Sequence, residues 1–119
     1  MSEGQGKGIR ATKLVVRVPS YISERQRSTL VIVAVDEEGR VDRSRNDEVE
    51  LTMTPMYNIE SPKVKLDKNI VKLINGEATV GITNEESDFV KITASCKDKK
   101  AGLEPYTVLL ATGGYPFGR

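Results

Sequence analysis

Apolar and polar residues alternate along most of this chain with the two-residue period that is typical of β-strands. The stretch from Thr12 to Val18 is apolar at every second position, and similar alternation returns at 48–53, 78–82 and 90–96. Successive side chains of a strand point to opposite faces, so this pattern predicts strands with one buried face. Helical periodicity does not extend beyond about two turns anywhere in the sequence.

Residues that favour turns separate these runs. Asp36-Glu37-Glu38-Gly39 predicts a turn in which Gly39 supplies the positive φ. Asn75-Gly76 stands between two alternating runs, which is typical of a β-hairpin. Pro55 and Pro62 bracket an irregular stretch, because proline cannot donate a hydrogen bond to a sheet ladder.

The number of strands and the chain length together predict the architecture. A chain of 119 residues fits one domain, and seven or eight short strands in it predict an all-β antiparallel sandwich of two sheets. A closed barrel is the alternative. We expect the domain to span residues 12–112, between a flexible tail at 1–11 and a C-terminal tail at 113–119. The residues predicted to line the inner faces are Leu14, Val16, Val31, Val33, Val35, Val49, Leu51, Val80, Ile82, Val90, Ile92 and Val108.

The stretch from Ser28 to Val35 differs from the others because it is apolar on both faces. We expect its valines to face the core, which leaves Leu30, Ile32 and Ala34 on the outer face. Exposed contiguous apolar surface usually marks an interaction site, unless the C-terminal tail covers it. Loops on a rigid scaffold are a second common place for recognition. The predicted contact residues are Leu30, Ile32, Met56, Tyr57, Tyr115 and Phe117.

Three segments share their order and spacing with a known family. The run 31–39 is an alternating strand followed by Asp and a turn with Gly. The run 71–80 contains Asn75-Gly76 followed by Ala78 and Val80, and a later strand begins near Val90. Over about residues 12–111 the chain resembles the bacterial immunoglobulin-like repeats of invasins and adhesins. The resemblance implies an immunoglobulin-like sandwich, a fold that hosts many unrelated functions.

The composition argues against catalysis. The chain has no histidine, the commonest general base, and a single cysteine, Cys96. Cys96 continues the inward face of its strand, so we expect a buried structural thiol. The acidic pairs Glu37-Glu38 and Glu85-Glu86 lie in predicted turns, with no apolar pocket that would raise a carboxyl pKa. We therefore expect no enzymatic activity and no cofactor.

Charged residues raise two further hypotheses, calcium binding and nucleic-acid binding. The segment 36–47 is rich in the oxygen ligands that suit Ca²⁺, but Arg40, Arg43 and Arg45 alternate with them. The calcium hypothesis stays open for this loop. Net charge is only +1, and aromatic residues, which stack bases, make up 5% of the chain. Basic patches are therefore best interpreted as solvated surface.

The favoured hypothesis is a non-catalytic structural or protein-interaction module. It would act through surface and edge-strand contacts, with a protein partner or with a second copy of itself. The alternative is a module that binds carbohydrate or single-stranded nucleic acid through exposed aromatic residues. No apolar run is long enough to span a membrane. We expect a cytoplasmic protein if the chain is complete and an extracellular one if it is an excised domain.

Overall fold

The computed structural model describes residues 9–18, 27–55, 64–84 and 88–112, which form an all-β domain. Eight strands lie within this part of the chain. Their bounds are β1 Lys13–Arg17, β2 Ser28–Val35, β3 Glu48–Pro55, β4 Val64–Leu66, β5 Ile70–Lys72, β6 Glu77–Asn84, β7 Asp88–Cys96 and β8 Tyr106–Thr112. One turn of 3₁₀-helix, Lys99–Ala101, lies between β7 and β8. None of the residues described belongs to a helix that is long and apolar enough to cross a membrane.

The eight strands form two antiparallel sheets of four strands each. Sheet A has the order β1-β2-β6-β4, and sheet B has the order β5-β3-β7-β8. Immunoglobulin-type sandwiches place the first two strands with two later ones on one sheet, and the third strand with the last two on the other. This chain follows that arrangement, with β5 as an additional edge strand beside β3. The predicted two-sheet sandwich is therefore confirmed.

The core lies between the two sheets. Alternate residues of β1, β3, β6 and β7 are buried there, as their sequence pattern predicts, because one face of each strand packs against the opposite sheet. Full burial of a valine, leucine or isoleucine side chain contributes roughly 1.5–3 kcal/mol. The largest side chains with almost no exposed area are Leu14, Leu30, Ile32, Leu73, Ile82, Ile92, Val33, Val35, Val49 and Val90.

The predicted orientation of β2 is wrong. Leu30 and Ile32 are fully buried, and together with Ala34 they belong to the core cluster between the sheets. The strand register explains this, because Leu30 pairs with Val80 and Ile32 pairs with Val16, two residues of the inner face. Paired residues point to the same side of a sheet. An uninterrupted apolar run does not indicate which of its two faces is the inner one.

The opposite face of β2 carries the three valines that were predicted to point inward. Val33 and Val35 are buried but lie outside the core cluster, and Val31 is half-buried. The register places Lys13 beside Val35 and Glu77 beside Val33. Long charged side chains shield neighbouring apolar groups with their methylene stems. The apolar character of both faces of β2 therefore fits a central strand with neighbours on both sides.

The Asn75-Gly76 turn has the predicted local geometry but joins strands of different sheets. The two residues have φ values of 55° and 81°, as a type I′ turn requires. Ile74 and Glu77 exchange two backbone hydrogen bonds across it, at 2.9 and 3.2 Å. Beyond this pair the chain divides, because β5 pairs with β3 in sheet B while β6 pairs with β2 and β4 in sheet A. The predicted hairpin is limited to the turn.

Candidate interaction surfaces

The predicted contact residues do not form an exposed surface in the part of the chain that the structure describes. Leu30 and Ile32 have no exposed area, because they pack in the core. The other four predicted contacts lie outside the described residues: Met56, Tyr57, Tyr115 and Phe117. Sheet edges are the next place to search, because the backbone groups of an edge strand lack a partner on one side.

Each sheet has two edge strands, and three of these four oppose pairing with another chain. β1 begins with Lys13, and the next residue is already bonded, because Leu14 N donates to Glu104 O at 2.9 Å. β4 has three residues and carries Lys65 at its centre. β5 also has three residues and ends in Lys72. Short length and edge lysines are common protections against unwanted strand pairing.

β8 is the fourth edge strand. Glu104, two residues before it, exchanges backbone hydrogen bonds with Thr12 and Leu14, but β8 itself has none of these protections. Its seven residues include no charged residue, no proline and no glycine. One side of β8 pairs with β7, and no strand within the described ranges pairs with its other side. Alternate residues of an edge strand direct their N–H and C=O groups away from the sheet. β8 therefore offers a row of backbone donors and acceptors to another strand.

The outer face of β8 is uncharged and partly apolar. Leu109 is 63% exposed, and the register places it opposite Lys91 of β7. The neighbouring pair on this face, Thr93 and Thr107, is joined by a hydroxyl hydrogen bond of 2.9 Å. On the inner face Leu110 is buried in the core. The strand is thus anchored on one face, while Leu109 stands exposed at the edge of the sheet.

Arg45 joins the three loops that meet at one end of the sandwich. These loops connect β2 to β3, β5 to β6 and β7 to β8. The Arg45 carbonyl oxygen accepts a hydrogen bond from Gly76 N at 2.9 Å, and its Nη2 donates to the carbonyl oxygen of Ala101 at 2.8 Å. The guanidinium also forms two hydrogen bonds to Asp47, at 2.8 and 3.1 Å. No local sequence pattern indicates the contacts with Gly76 and Ala101, because these two partners are distant along the chain.

Two buried carboxylates stabilise the same end. Asp36 follows β2, and its pKa is lowered chiefly by the hydrogen bond from the Arg40 backbone N–H, which outweighs the opposing effect of burial. Asp42 accepts hydrogen bonds from Ser44 Oγ at 2.7 Å and from Ala11 N at 2.9 Å. Burial is the largest single effect on Asp42 and opposes its ionisation, but these bonds, the bond from Ser44 N and the charge of Arg45 together outweigh it and lower the pKa of this carboxyl.

The calcium hypothesis concerned this same loop. The carboxylates of Asp36, Asp42 and Asp47 all accept hydrogen bonds from protein donors. Among the residues described, no group of three or more histidine, cysteine, aspartate or glutamate side chains is placed to hold a metal ion. Hydrogen bonding to the carboxylates stabilises the turn and loop that follow β2.

Cys96 lies where its sequence pattern places it, on the inner face of β7. Its side chain is buried, and desolvation raises the pKa of the thiol, with a further contribution from the negative charge of Asp47. A raised thiol pKa lowers the fraction of the reactive thiolate at neutral pH. The geometry therefore fits the predicted structural thiol.

The alternative hypothesis of carbohydrate or nucleic-acid binding depends on exposed aromatic side chains. Tyr106 is the aromatic residue whose side chain is described, and it is half-buried against the core. Ligand stacking needs an exposed ring face. The remaining aromatic side chains lie outside the described set: Tyr21, Tyr57, Phe89, Tyr115 and Phe117. This alternative stays a prediction.

Comparison with known proteins identifies a shared fold and no family. No family model matches the chain, and no curated protein matches its sequence. A solved structure of a glycosyl hydrolase family 2 member from Bacteroides cellulosilyticus matches with a TM-score of 0.69 and 11% identity. The match covers 88% of this chain but only 14% of the hydrolase chain.

Two other solved structures have similar sandwiches in different settings. Domains 4 and 5 of the S-layer protein SbsC match with a TM-score of 0.51 and 14% identity, over 89% of this chain and 54% of that one. A PapD-like domain of human CEP192 matches with a TM-score of 0.52 and 10% identity, over 88% and 87% of the two chains. All three neighbours are β-sandwich domains, and at these identities they support the fold alone.

Proposed function

We propose that this chain is a non-catalytic protein-interaction module and that β8 is its binding strand. A partner strand adds to the free edge of β8 and extends sheet B, a mode of recognition that exposed sheet edges commonly support. The observation that carries the proposal is the contrast among the edge strands. β8 has seven residues and no charge, whereas each of the other three contains a charged residue. Of those three, β4 and β5 have only three residues each, and β1 is already hydrogen-bonded to Glu104.

Strand addition at β8 combines backbone hydrogen bonds with burial of Leu109. A backbone hydrogen bond contributes only about 0.5–1.5 kcal/mol net, because both groups were bonded to water before. Burial of a leucine side chain contributes roughly 1.5–3 kcal/mol, and Leu109 is 63% exposed in the single chain. No charged side chain within β8 has to lose its hydration when a partner strand arrives.

The partner strand that we propose is β8 of a second copy of this chain. Antiparallel pairing about a two-fold axis at Leu109 brings Val108 opposite Leu110 and Thr107 opposite Ala111. All of these pairs are uncharged, and aliphatic and β-branched side chains pair favourably across strands. The net charge of +1 adds little repulsion between two copies.

The fold that the comparisons support occurs as one module within larger proteins, which fits the proposed modular role. The similar region in the family 2 glycosyl hydrolase is a β-sandwich that accounts for 14% of that chain. In the hydrolase such a sandwich is one part of a larger chain, and in the human PapD-like structure the similar region makes up 87% of the solved chain. Because one fold hosts many functions, the specific role of this chain rests on its own surface.

Sedimentation velocity over a wide range of protein concentration tests the proposal. We expect a concentration-dependent dimer that Leu109→Lys dissociates, because two lysines would then face each other across the axis. Ile74→Lys is the matched control, since Ile74 is 66% exposed and lies far along the chain from β8. Thermal unfolding of both variants checks that the fold is retained.

Two results would contradict the proposal. A monomer at every concentration up to the millimolar range excludes self-association through β8. A dimer that persists in Leu109→Lys, or that Ile74→Lys dissociates equally well, places the interface on another surface.

A further inference from the structure

A second vacant strand position lies on the opposite side of the sandwich, beside β6. β2 pairs with residues 77–82 of β6, but β4 pairs only with residues 82–84 on the other side. One further hydrogen bond, from Asp67 N to Gly81 O, extends this contact by one residue. On this side Glu77 is already bonded to Ile74, so among the described residues the edge of β6 lacks a neighbouring strand only around Thr79, between the turn and β4.

A groove of about 560 Å³ follows this vacant edge, between β5 and β6. Ala78 and Thr79 of β6 form one wall. The other wall is a row of alternate residues that begins two residues before β5 and runs through it into the turn, with cationic and apolar side chains in alternation. Its members are Lys68, Ile70, Lys72 and Ile74. All four are exposed, with 39% of Ile70 and 66% of Ile74 accessible to water.

The groove carries a net positive charge. Glu77 is the acidic residue that lines it, and this carboxylate is paired with Arg43 at 3.3 Å. Lys68 and Lys72 have no carboxylate of the described residues within ion-pair distance. Glu48 of β3 lies opposite Lys72 in the strand register but does not line the groove. Three cationic residues of the lining, Arg43, Lys68 and Lys72, therefore stand against one carboxylate, Glu77, and this excess of positive charge favours an anionic partner.

The turn that presents Ile74 is held firmly by the rest of the domain. Gly76 N donates to Arg45 O at 2.9 Å, and Ala34 N donates to Gly76 O at 3.0 Å. Arg43 Nη1 adds a hydrogen bond of 3.2 Å to the carbonyl oxygen of Asn75. A surface that is already ordered loses little conformational entropy when a ligand binds.

We propose that this groove binds an extended, acidic segment of a partner protein. The backbone of the segment pairs with Thr79 of β6, between the turn and β4, in the mode by which sheets add a strand. Its apolar side chains contact Ile70 and Ile74, and its carboxylates lie beside Lys68 and Lys72. A nucleic acid fits less well, because none of the described residues that line the groove is aromatic and could stack a base. The site is separate from β8 and does not depend on self-association.

A capped octapeptide with the sequence Glu-Thr-Val-Thr-Glu-Thr-Val-Thr is the probe, since one of its faces alternates carboxylates with valines. Titration into the ¹⁵N-labelled full chain should move the amide resonances of residues 68–80 in a saturable way. The same peptide with lysine in place of glutamate is the charge control and should bind at least about tenfold more weakly, because it meets like charges.

Protein variants separate the charged and apolar contributions. We expect the double variant Lys68→Glu, Lys72→Glu to weaken binding by about tenfold or more, with a shallower dependence on salt. The matched control, Lys99→Glu with Lys100→Glu, makes the same change of charge at two exposed lysines outside the groove and should leave binding unchanged. Ile74→Ser should weaken binding without changing the salt dependence.

Three outcomes would overturn the proposal. One is the absence of saturable shifts with the acidic peptide at millimolar concentration. Another is equal affinity for the acidic and basic peptides, or an equal loss of peptide affinity in the two charge-reversed double variants. The third is a set of shifts centred on β8 in place of residues 68–80.

Discussion

β2 and β8 are both uncharged, apolar strands, yet they occupy opposite kinds of position. β2 lies inside sheet A, between β1 and β6, and both of its faces are largely buried. β8 lies at the edge of sheet B, with β7 on one side and Leu109 exposed on its outer face. An apolar strand can therefore indicate either the centre of a sheet or an open edge.

The difference between the two strands lies in what surrounds them. β2 pairs with a strand on each side over most of its length, so its backbone groups are bonded within the domain. β8 has the composition of a central strand but only one neighbour among the described strands. Native proteins usually protect such an edge with charge, proline or short length. The missing protection on β8 is the basis on which we propose a partner strand.

Alanine substitution of one leucine in each strand should produce the largest contrast. Leu30→Ala removes a fully buried side chain and should lower the free energy of unfolding by about 2–5 kcal/mol. Leu109→Ala, at an exposed position, should change it by about 0.5 kcal/mol or less when the chain is monomeric. Urea unfolding at low protein concentration measures both. Similar losses for the two variants would mean that Leu109 is buried within the single chain.

Two glycine substitutions test how firmly the turn holds the end of β2. A Cβ at Gly76 would overlap the carbonyl oxygen of Asp42, in addition to the strain of a positive φ. Gly39 has a similar φ of 85°, but nothing lies within 4 Å of its added Cβ. Gly39→Ala should cost about 1–2 kcal/mol from backbone strain, and Gly76→Ala should cost at least about 1 kcal/mol more. Thermal and urea unfolding give the difference, and equal costs would contradict the close packing at Gly76.

Acid should weaken the end of β2, because Asp36 and Asp42 lie beyond it with lowered pKa values. A carboxyl whose native pKa is lower than its unfolded value stabilises the fold above the unfolded pKa. That contribution is lost as the pH falls from about 4 through the native pKa. Asp42→Asn should reduce stability at neutral pH and flatten the decline in acid. Urea titrations between about pH 7 and pH 2 measure the stability of both proteins. If stability declined in parallel in Asp42→Asn and in the parent, Asp42 would be excluded as a source of the acid sensitivity.

Hydrogen exchange should reveal the smallest but most local difference. Amides of β2 should be protected throughout residues 30–34, since neighbours lie on both sides. In β8 protection should alternate, with every second amide exchanging at least about tenfold faster at low protein concentration. At high concentration the unprotected amides should slow if β8 pairs with a second copy. Uniform protection of β8 in the monomer would mean that its edge is already covered.

The sequence by itself determined the strands, the turns and most of the inner faces. β1, β3, β6 and β7 alternate between apolar and polar residues, so the hydrophobic effect selects one face for each of them. Gly39 and Asn75-Gly76 were predictable because few other residues adopt a positive φ without strain. These features depend on neighbouring residues, and a local pattern is sufficient to indicate them.

Only the tertiary structure decided the face of β2, the division of the chain after the Asn75-Gly76 turn, and which strands became edges. β2 is apolar on both sides, so its orientation depends on its pairing with β1 and β6. The tertiary structure also decided the contacts of Arg45, because its partners Gly76 and Ala101 belong to other loops. Register, sheet order and loop contacts join residues that are far apart in the chain. The open edge of β8 and the groove beside β6 are therefore properties of the fold, which no single segment of the sequence reveals.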